Sequence, residues 1–158
     1  MNRPRVFPDS CVLIEGLVAP WSASRGVLIL GRAALFRFAV AEFVIEETER
    51  VLAGKLGGTY GGRERLRADF GLLLKRLRVE RIPHVSQEEF RQARALIRHA
   101  NDAPVLAAAL KAAPDWVLTD NTAHFTAEVS ARTGLRIATP EEFLRQAGRL
   151  FGGPGRAG

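Results

Sequence analysis

The chain has 158 residues, 47% of them hydrophobic, a formal net charge of +6 and a single cysteine. That length and apolar content fit one domain with its own core and exclude an intrinsically disordered chain. The lone Cys11 excludes an internal disulfide and a cysteine-rich zinc site, so a reducing, cytoplasmic setting is the default expectation.

The start, Met1-Asn2-Arg3-Pro4-Arg5, has no apolar core and is not expected to be a signal peptide. Arg5 to Phe7 and Val12 to Ile14 flank Asp9 with apolar residues, which predicts a buried strand, a turn and a short helix. The most apolar stretch, Gly26 to Ile45, is interrupted by Arg32, Arg37 and Glu42, so no membrane span is expected there. Within it Val27–Leu30 is a short apolar run, and Leu35–Val40, rich in Phe, predicts a strand. Apolar side chains at helical spacing predict a helix from about Glu42 to Leu56, stopped by Gly57-Gly58, with a flexible link from Gly57 to Gly62. Arg63–Leu77 predicts an amphipathic basic helix with Leu66, Phe70, Leu73, Leu74 and Leu77 inward.

Leu77–Ile82 predicts a strand closed by Pro83, and Ser86 with Glu89 three residues later predicts a capped helix reaching His99. Ala103–Ala112 predicts a buried helix, Trp116–Thr119 a strand, Asn121–Thr133 helix or loop, and Leu135–Ala138 a final strand. Thr139-Pro140 opens a terminal helix. Residues 1–148 are expected to form the domain and 149–158, rich in Gly and Pro, a disordered tail. Strands alternating with helices predict a single α/β domain, a mostly parallel sheet of about five strands with helices on both faces.

Open α/β sheets bind ligands beyond the carboxyl ends of their strands, so acids distant in sequence can converge there. Four segments carry acids, three of them expected to follow or face the end of a strand: Asp9-Ser10, Glu46-Glu47, Asn101-Asp102 and Asp120-Asn121. Each also has a structural explanation. Asp9, Asp102 and either Asp120 or Asn121 could cap the helices that follow them, and a cap can still offer its second oxygen to a ligand. On a helical wheel Glu47 falls at the edge of the apolar arc, whereas Glu46 and Glu49 fall outside it. A carboxylate aimed there needs a partner, either a cation or an ion pair such as Arg50. Acids without paired His or Cys suit Mg²⁺ or Mn²⁺, which can activate a water and stabilise the leaving oxygen of a phosphodiester.

The order of these segments resembles the PIN-domain family of VapC-like metal-dependent ribonucleases. Val6-Phe7-Pro8-Asp9-Ser10-Cys11 resembles its first strand and turn. Val44 to Leu52 resembles the helix of the second acid, in the register that makes it Glu47. His99 to Ala109 is similar to the third segment, and Trp116-Val117-Leu118-Thr119-Asp120-Asn121 through Phe125 to the fourth. The resemblance runs from Val6 to about Phe143. It implies a PIN fold and Asp9, Glu47, Asp102 and Asp120 as catalytic metal ligands, with Ser10, Thr119 and Asn121 supporting. Cys11 stands where a small polar residue is usual, so the hydrogen bond of that residue must come from Ser10 or be absent. Many relatives read Thr-x-Asp or Thr-x-Asn, which aligns Asn121 with the fourth position; Asp120 is favoured as the charge and Asn121 as a neutral contact. The resemblance also implies hydrolysis of single-stranded RNA, a dimer and, for a toxin, a small antitoxin protein partner.

The positive charge is nearly all Arg, which suits phosphate recognition and equally reflects arginine-rich codon usage. Arg63, Arg65 and Arg67 are the first candidates for RNA contact. His84, His99 and His124 show no metal-ligand spacing and are expected at the surface or at caps; Trp21 and Trp116 are expected in the core or an interface. The rival readings are an inactive PIN-like module that binds nucleic acid or protein, and a DNA flap nuclease, which usually carries more acids and extra elements.

Overall fold

The computed structural model describes residues 2–151. In chain order it contains β1 (Arg5–Pro8), α1 (Ser10–Val18), α2 (Ala23–Arg32), β2 (Arg37–Ala41), α3 (Glu42–Ala53), α4 (Lys55–Thr59), α5 (Arg63–Leu77), β3 (Glu80–Ile82), α6 (Gln87–Arg94), a 3₁₀ turn (Ala100–Asp102), α7 (Ala103–Ala112), β4 (Trp116–Leu118), α8 (Ala127–Thr133), β5 (Ile137–Ala138) and α9 (Pro140–Phe151). The five strands form one parallel sheet in the order β3-β2-β1-β4-β5. Successive strand residues face opposite sides, yet Phe38, Ala39, Val40 and Ala41 are all buried, so helices cover both faces.

From β1 the chain moves outward to β2 and β3, then returns to place β4 on the other side of β1. The carboxyl ends of β1 and β4 therefore flank the topological switch point, where such sheets form their crevice. The backbone N–H of Asp9 donates to Leu118 O at 2.8 Å and that of Thr119 to Ala138 O at 3.1 Å, so the ladder continues into the segments that carry the acids.

Close packing holds this frame. A Cβ on Gly31 of α2 would run into the ring of Phe38, and one on Gly16 of α1 into Leu28, so glycine lets α2 lie tight against its neighbours. Phe36, Phe38, Phe143 and Trp116 meet edge to face at centroid separations of 5.1–5.5 Å, with the Arg136 guanidinium 4.5 Å from the Trp116 ring. The Ala-rich α7 is buried around most of its surface, as its apolar composition, broken only by Lys111, predicts.

The structure departs from the sequence expectations in several places. Val27–Leu30, an apolar run whose pattern assigns it to no element, lies in a helix, α2. The helix expected to reach Leu56 ends at Ala53, where Gly54 caps it, and part of the link expected at Gly57–Gly62 is the short α4. Helix α6 ends at Arg94 with Ala95 as its cap, short of His99. Trp21 is 98% exposed and so lies outside the core, the first of the two places expected for it. Residues 149–151 continue α9, and the remainder of the expected tail lies outside the described residues. Among the described residues no single helix is long and apolar enough to cross a membrane.

Candidate active site

Asp9 follows the central strand directly and is only 8% exposed. Its Oδ1 accepts from the backbone N–H of Ser10 at 2.7 Å, and its Oδ2 accepts from the Thr119 hydroxyl at 2.8 Å. Thr119, fully buried at the end of β4, also accepts from the Asn121 N–H at 3.1 Å, so one hydroxyl ties the two central loops together. A hydrogen bond to an ionised acceptor contributes about 1.5–3 kcal/mol. Burial nevertheless dominates and raises the pKa of Asp9, and the nearby charge of Glu47 raises it further.

Cys11 supplies a contact that the sequence assigned to Ser10 or to nothing. Its Sγ lies 3.7 Å from Asp9 Oδ2 and 3.8 Å from Thr119 Oγ1. Burial, then the Asp9 charge, pushes the thiol up to about 12, so it stays protonated and can donate. Cys11 is thus a weak donor beside the acid.

Glu47, in the second turn of α3, is half-buried, and among the described residues it has no hydrogen bond or ion pair; the pairing with Arg50 does not form. Glu46 is exposed and pairs with His84 Nε2 at 2.9 Å. The two adjacent glutamates therefore separate as their positions on the helical wheel require.

Asp102 precedes α7, but its side chain makes no capping bond. It turns toward the fourth segment. Its Oδ2 lies 2.6 Å from His124 Nδ1, and its Oδ1 accepts from Asn121 Nδ2 at 3.4 Å. A ring nitrogen that close to a carboxylate oxygen must carry a proton, so His124 donates from Nδ1. The ring of His99 stacks on that of His124 at 3.5 Å. His99 is exposed and stands at the N-cap of the 3₁₀ turn, as expected, whereas His124 supports an acid.

Asp120 and Asn121 divide the two roles considered for the fourth position. Asn121 faces Asp102, whereas Asp120 faces Glu15 of α1, with Glu141 of α9 and Asp9 nearby. Burial, a carboxyl–carboxyl hydrogen bond with Glu15 and the repulsion of these acids push Asp120 up to about 6. Glu15 was missed in the sequence, although it is the only charged residue on the apolar α1. Its Oε2 also accepts from the buried Ser24 hydroxyl at 3.3 Å.

The family model for the PIN domain matches residues 5–123, and every acid of the resemblance falls inside that span. The chain belongs to the PIN-domain family. Among solved structures it is similar to FitAcB from Neisseria gonorrhoeae, at 17% identity and a TM-score of 0.63, covering 86% of this chain and 98% of that one. It is likewise similar to VapBC2 from Rickettsia felis bound to a DNA fragment from their promoter, at 14% identity and a TM-score of 0.61, covering 85% of this chain and 98% of that one. No curated protein matches the sequence. At these identities the two structures establish the PIN fold alone.

The donor chemistry of this PIN domain fits a hard divalent cation. The candidates are all carboxylates, Glu47 lacks any other partner, and Asp9 and Asp120 are destabilised as anions in part by their acidic neighbours, which a cation would reverse. As placed, they are not gathered into a closed set. Among the described residues no three His, Cys, Asp or Glu side chains form a ready ion-binding group, because Asp102 faces His124 and Asp120 faces Glu15. Arg63, Arg65 and Arg67 are exposed on α5, and among the described residues they have no ion pair, but no contact joins them to the acids.

Proposed function

We propose that this PIN domain is an endoribonuclease that hydrolyses phosphodiester bonds of single-stranded RNA with Mg²⁺ or Mn²⁺. The observation that carries the reading is the pairing of a buried Asp9 with a half-buried Glu47 that has no partner, beside the switch point of the sheet. Such an arrangement opposes folding unless it serves a ligand. Asp9, Glu47, Asp102 and Asp120 would hold the ion, which when bound supplies an activated water and charge stabilisation at the leaving oxygen. The Thr119 hydroxyl and the Ser10 N–H fix the carboxylate of Asp9, and His124 Nδ1–H fixes that of Asp102. Asn121 offers its amide beside Asp102 as a neutral contact to water or substrate. Exposed Arg63, Arg65 and Arg67 would bind RNA phosphates.

The likeness to VapBC2 supports a toxin role with a small antitoxin protein as partner; the family resemblance supports a dimer, and the lone Cys11 a cytoplasmic setting. Cleavage of a labelled single-stranded RNA, dependent on added Mn²⁺ and abolished by EDTA, tests the enzyme; equal cleavage in EDTA refutes it. The engagement of Asp102 by His124 favours a second reading, a catalytically idle module that binds nucleic acid or protein. Calorimetric titration with Mn²⁺ separates the two, since the idle module binds no ion at this site.

A further inference from the structure

The pole of the sheet opposite the acids is strongly basic. Arg3 precedes β1, Arg37 opens β2, Arg78 precedes β3, Arg32 ends α2, and Lys75 and Arg76 lie in the last turn of α5. Because all strands are parallel, these positions share the amino end of the sheet, and the six side chains line one cavity of about 610 Å³. All six are exposed, and among the described residues none has an ion pair. Acids do occur at this pole, but Arg5 occupies them. Its guanidinium bonds Glu80 at 2.8 Å and its backbone N–H bonds Asp115 at 2.7 Å. The six cations face one another without compensation.

Part of this charge answers the carbonyl ends of α2 and α5, which favour cations in their last turns. That accounts for Arg32, Lys75 and Arg76, and for Arg78, the left-handed cap of α5, and leaves the side chains of Arg3 and Arg37 without a structural role. Like charges around a concavity repel unless an anion joins them. Five of the six are Arg, whose forked donors suit phosphate oxygens. The apolar side chains in the wall, such as Phe36 and Leu77, are buried, which leaves little surface to seat the apolar groups of a peptide. A string of phosphates meets the requirement better than an acidic peptide does.

We propose that these six cations form a second binding site, for the phosphate backbone of single-stranded RNA, at the pole of the sheet opposite the acids. This site does not depend on cleavage. A long strand could rest on it while another part of the same strand reaches the carboxyl ends of β1 and β4. RNA too short to span both poles would lose the contribution.

The test is fluorescence anisotropy of a labelled single-stranded RNA on the full chain in EDTA, over a range of salt concentrations. Neutralised phosphates on a single strand contribute about 0.7 each to the slope of log affinity against log salt. Arg37→Gln with Arg76→Gln should flatten that slope by about 0.7 for each cation lost. Arg37→Lys with Arg76→Lys should keep most of it. The control is Arg91→Gln with Arg132→Gln, which removes the same net charge from α6 and α8, where both arginines pair with glutamates. An equal effect in the control, an unchanged slope in the double variant, or an effect seen only with duplex DNA would overturn the proposal. The single variants Arg37→Gln and Arg76→Gln, each expected to lose half as much, keep the test valid if the double variant does not fold.

Discussion

The two poles of this sheet treat charge in opposite ways. At the carboxyl pole the acids crowd one another: Asp9 is buried beneath Thr119, Glu47 is half-buried with nothing opposite it, and the exposed Asp120 stands against Glu15. At the amino pole the cations stand in solvent. Burial makes the acids costly to the fold, whereas exposed arginines cost little because water screens them. A costly arrangement held by buried hydrogen bonds marks a site that must be kept in one shape. A cheap cluster marks a surface that needs only charge.

The largest expected effect comes from Asp9→Asn. It should lower kcat/KM for Mn²⁺-dependent RNA cleavage by about 100-fold or more, since loss of a metal-bound charge costs several kcal/mol. The same change should raise the Tm, because the raised pKa of Asp9 means that its charged form opposes folding above its ordinary carboxylate range. A variant that loses activity and stability together would remove the contrast between the poles. Next is the pair of adjacent glutamates. Glu47→Gln should also cost about 100-fold, while Glu46→Gln, which breaks only a surface contact with His84, should cost less than about threefold. The reverse order would place the ligand on the wrong side of α3.

His124→Ala distinguishes the enzyme from the idle module by the sign of its effect. If His124 positions Asp102 for an ion, Mn²⁺ affinity measured by calorimetry should fall about tenfold, as for other supporting partners of metal ligands. If His124 instead occupies Asp102, its removal should raise affinity.

The sequence showed those features that depend on local pattern. The apolar runs on either side of Asp9 revealed the strand and its turn, and the helical wheel separated Glu47 from Glu46 because burial follows helical period. The basic α5 and the Ser86 cap were visible for the same reason. What it concealed depends on contacts across the chain. Asp102 looked like a cap, but His124, 22 residues away, draws its carboxyl aside. Val27–Leu30 was ambiguous because a short apolar run fits a buried strand or helix alike. The basic cavity joins residues from three stretches of chain, at Arg3, at 31–37 and at 75–78, that only the parallel topology brings to one pole. Glu15 did carry a signal, a lone charge on an apolar helix, but a lone charge is more often solvated than paired with a second acid.

The smallest predicted effect concerns that pair. Asp120 is held at about 6 by burial and then by Glu15, so its proton is favoured more strongly in the folded than in the unfolded chain. Above about pH 6 Asp120 is ionised and can face a cation; below it the proton competes, and Mn²⁺-dependent cleavage should fall along an acid limb. Glu15→Gln removes one of the charges that hold the proton there. The acid limb should therefore move to lower pH, with little change at pH 8, where Asp120 is already ionised in both proteins. The shift should be under about one pH unit, because burial, the leading cause, remains. Glu141→Gln removes a weaker, exposed influence and should move the limb less. A limb that stays in place in Glu15→Gln would assign it to another acid, Asp9 being the first alternative, and would free Asp120 from any part in binding the ion.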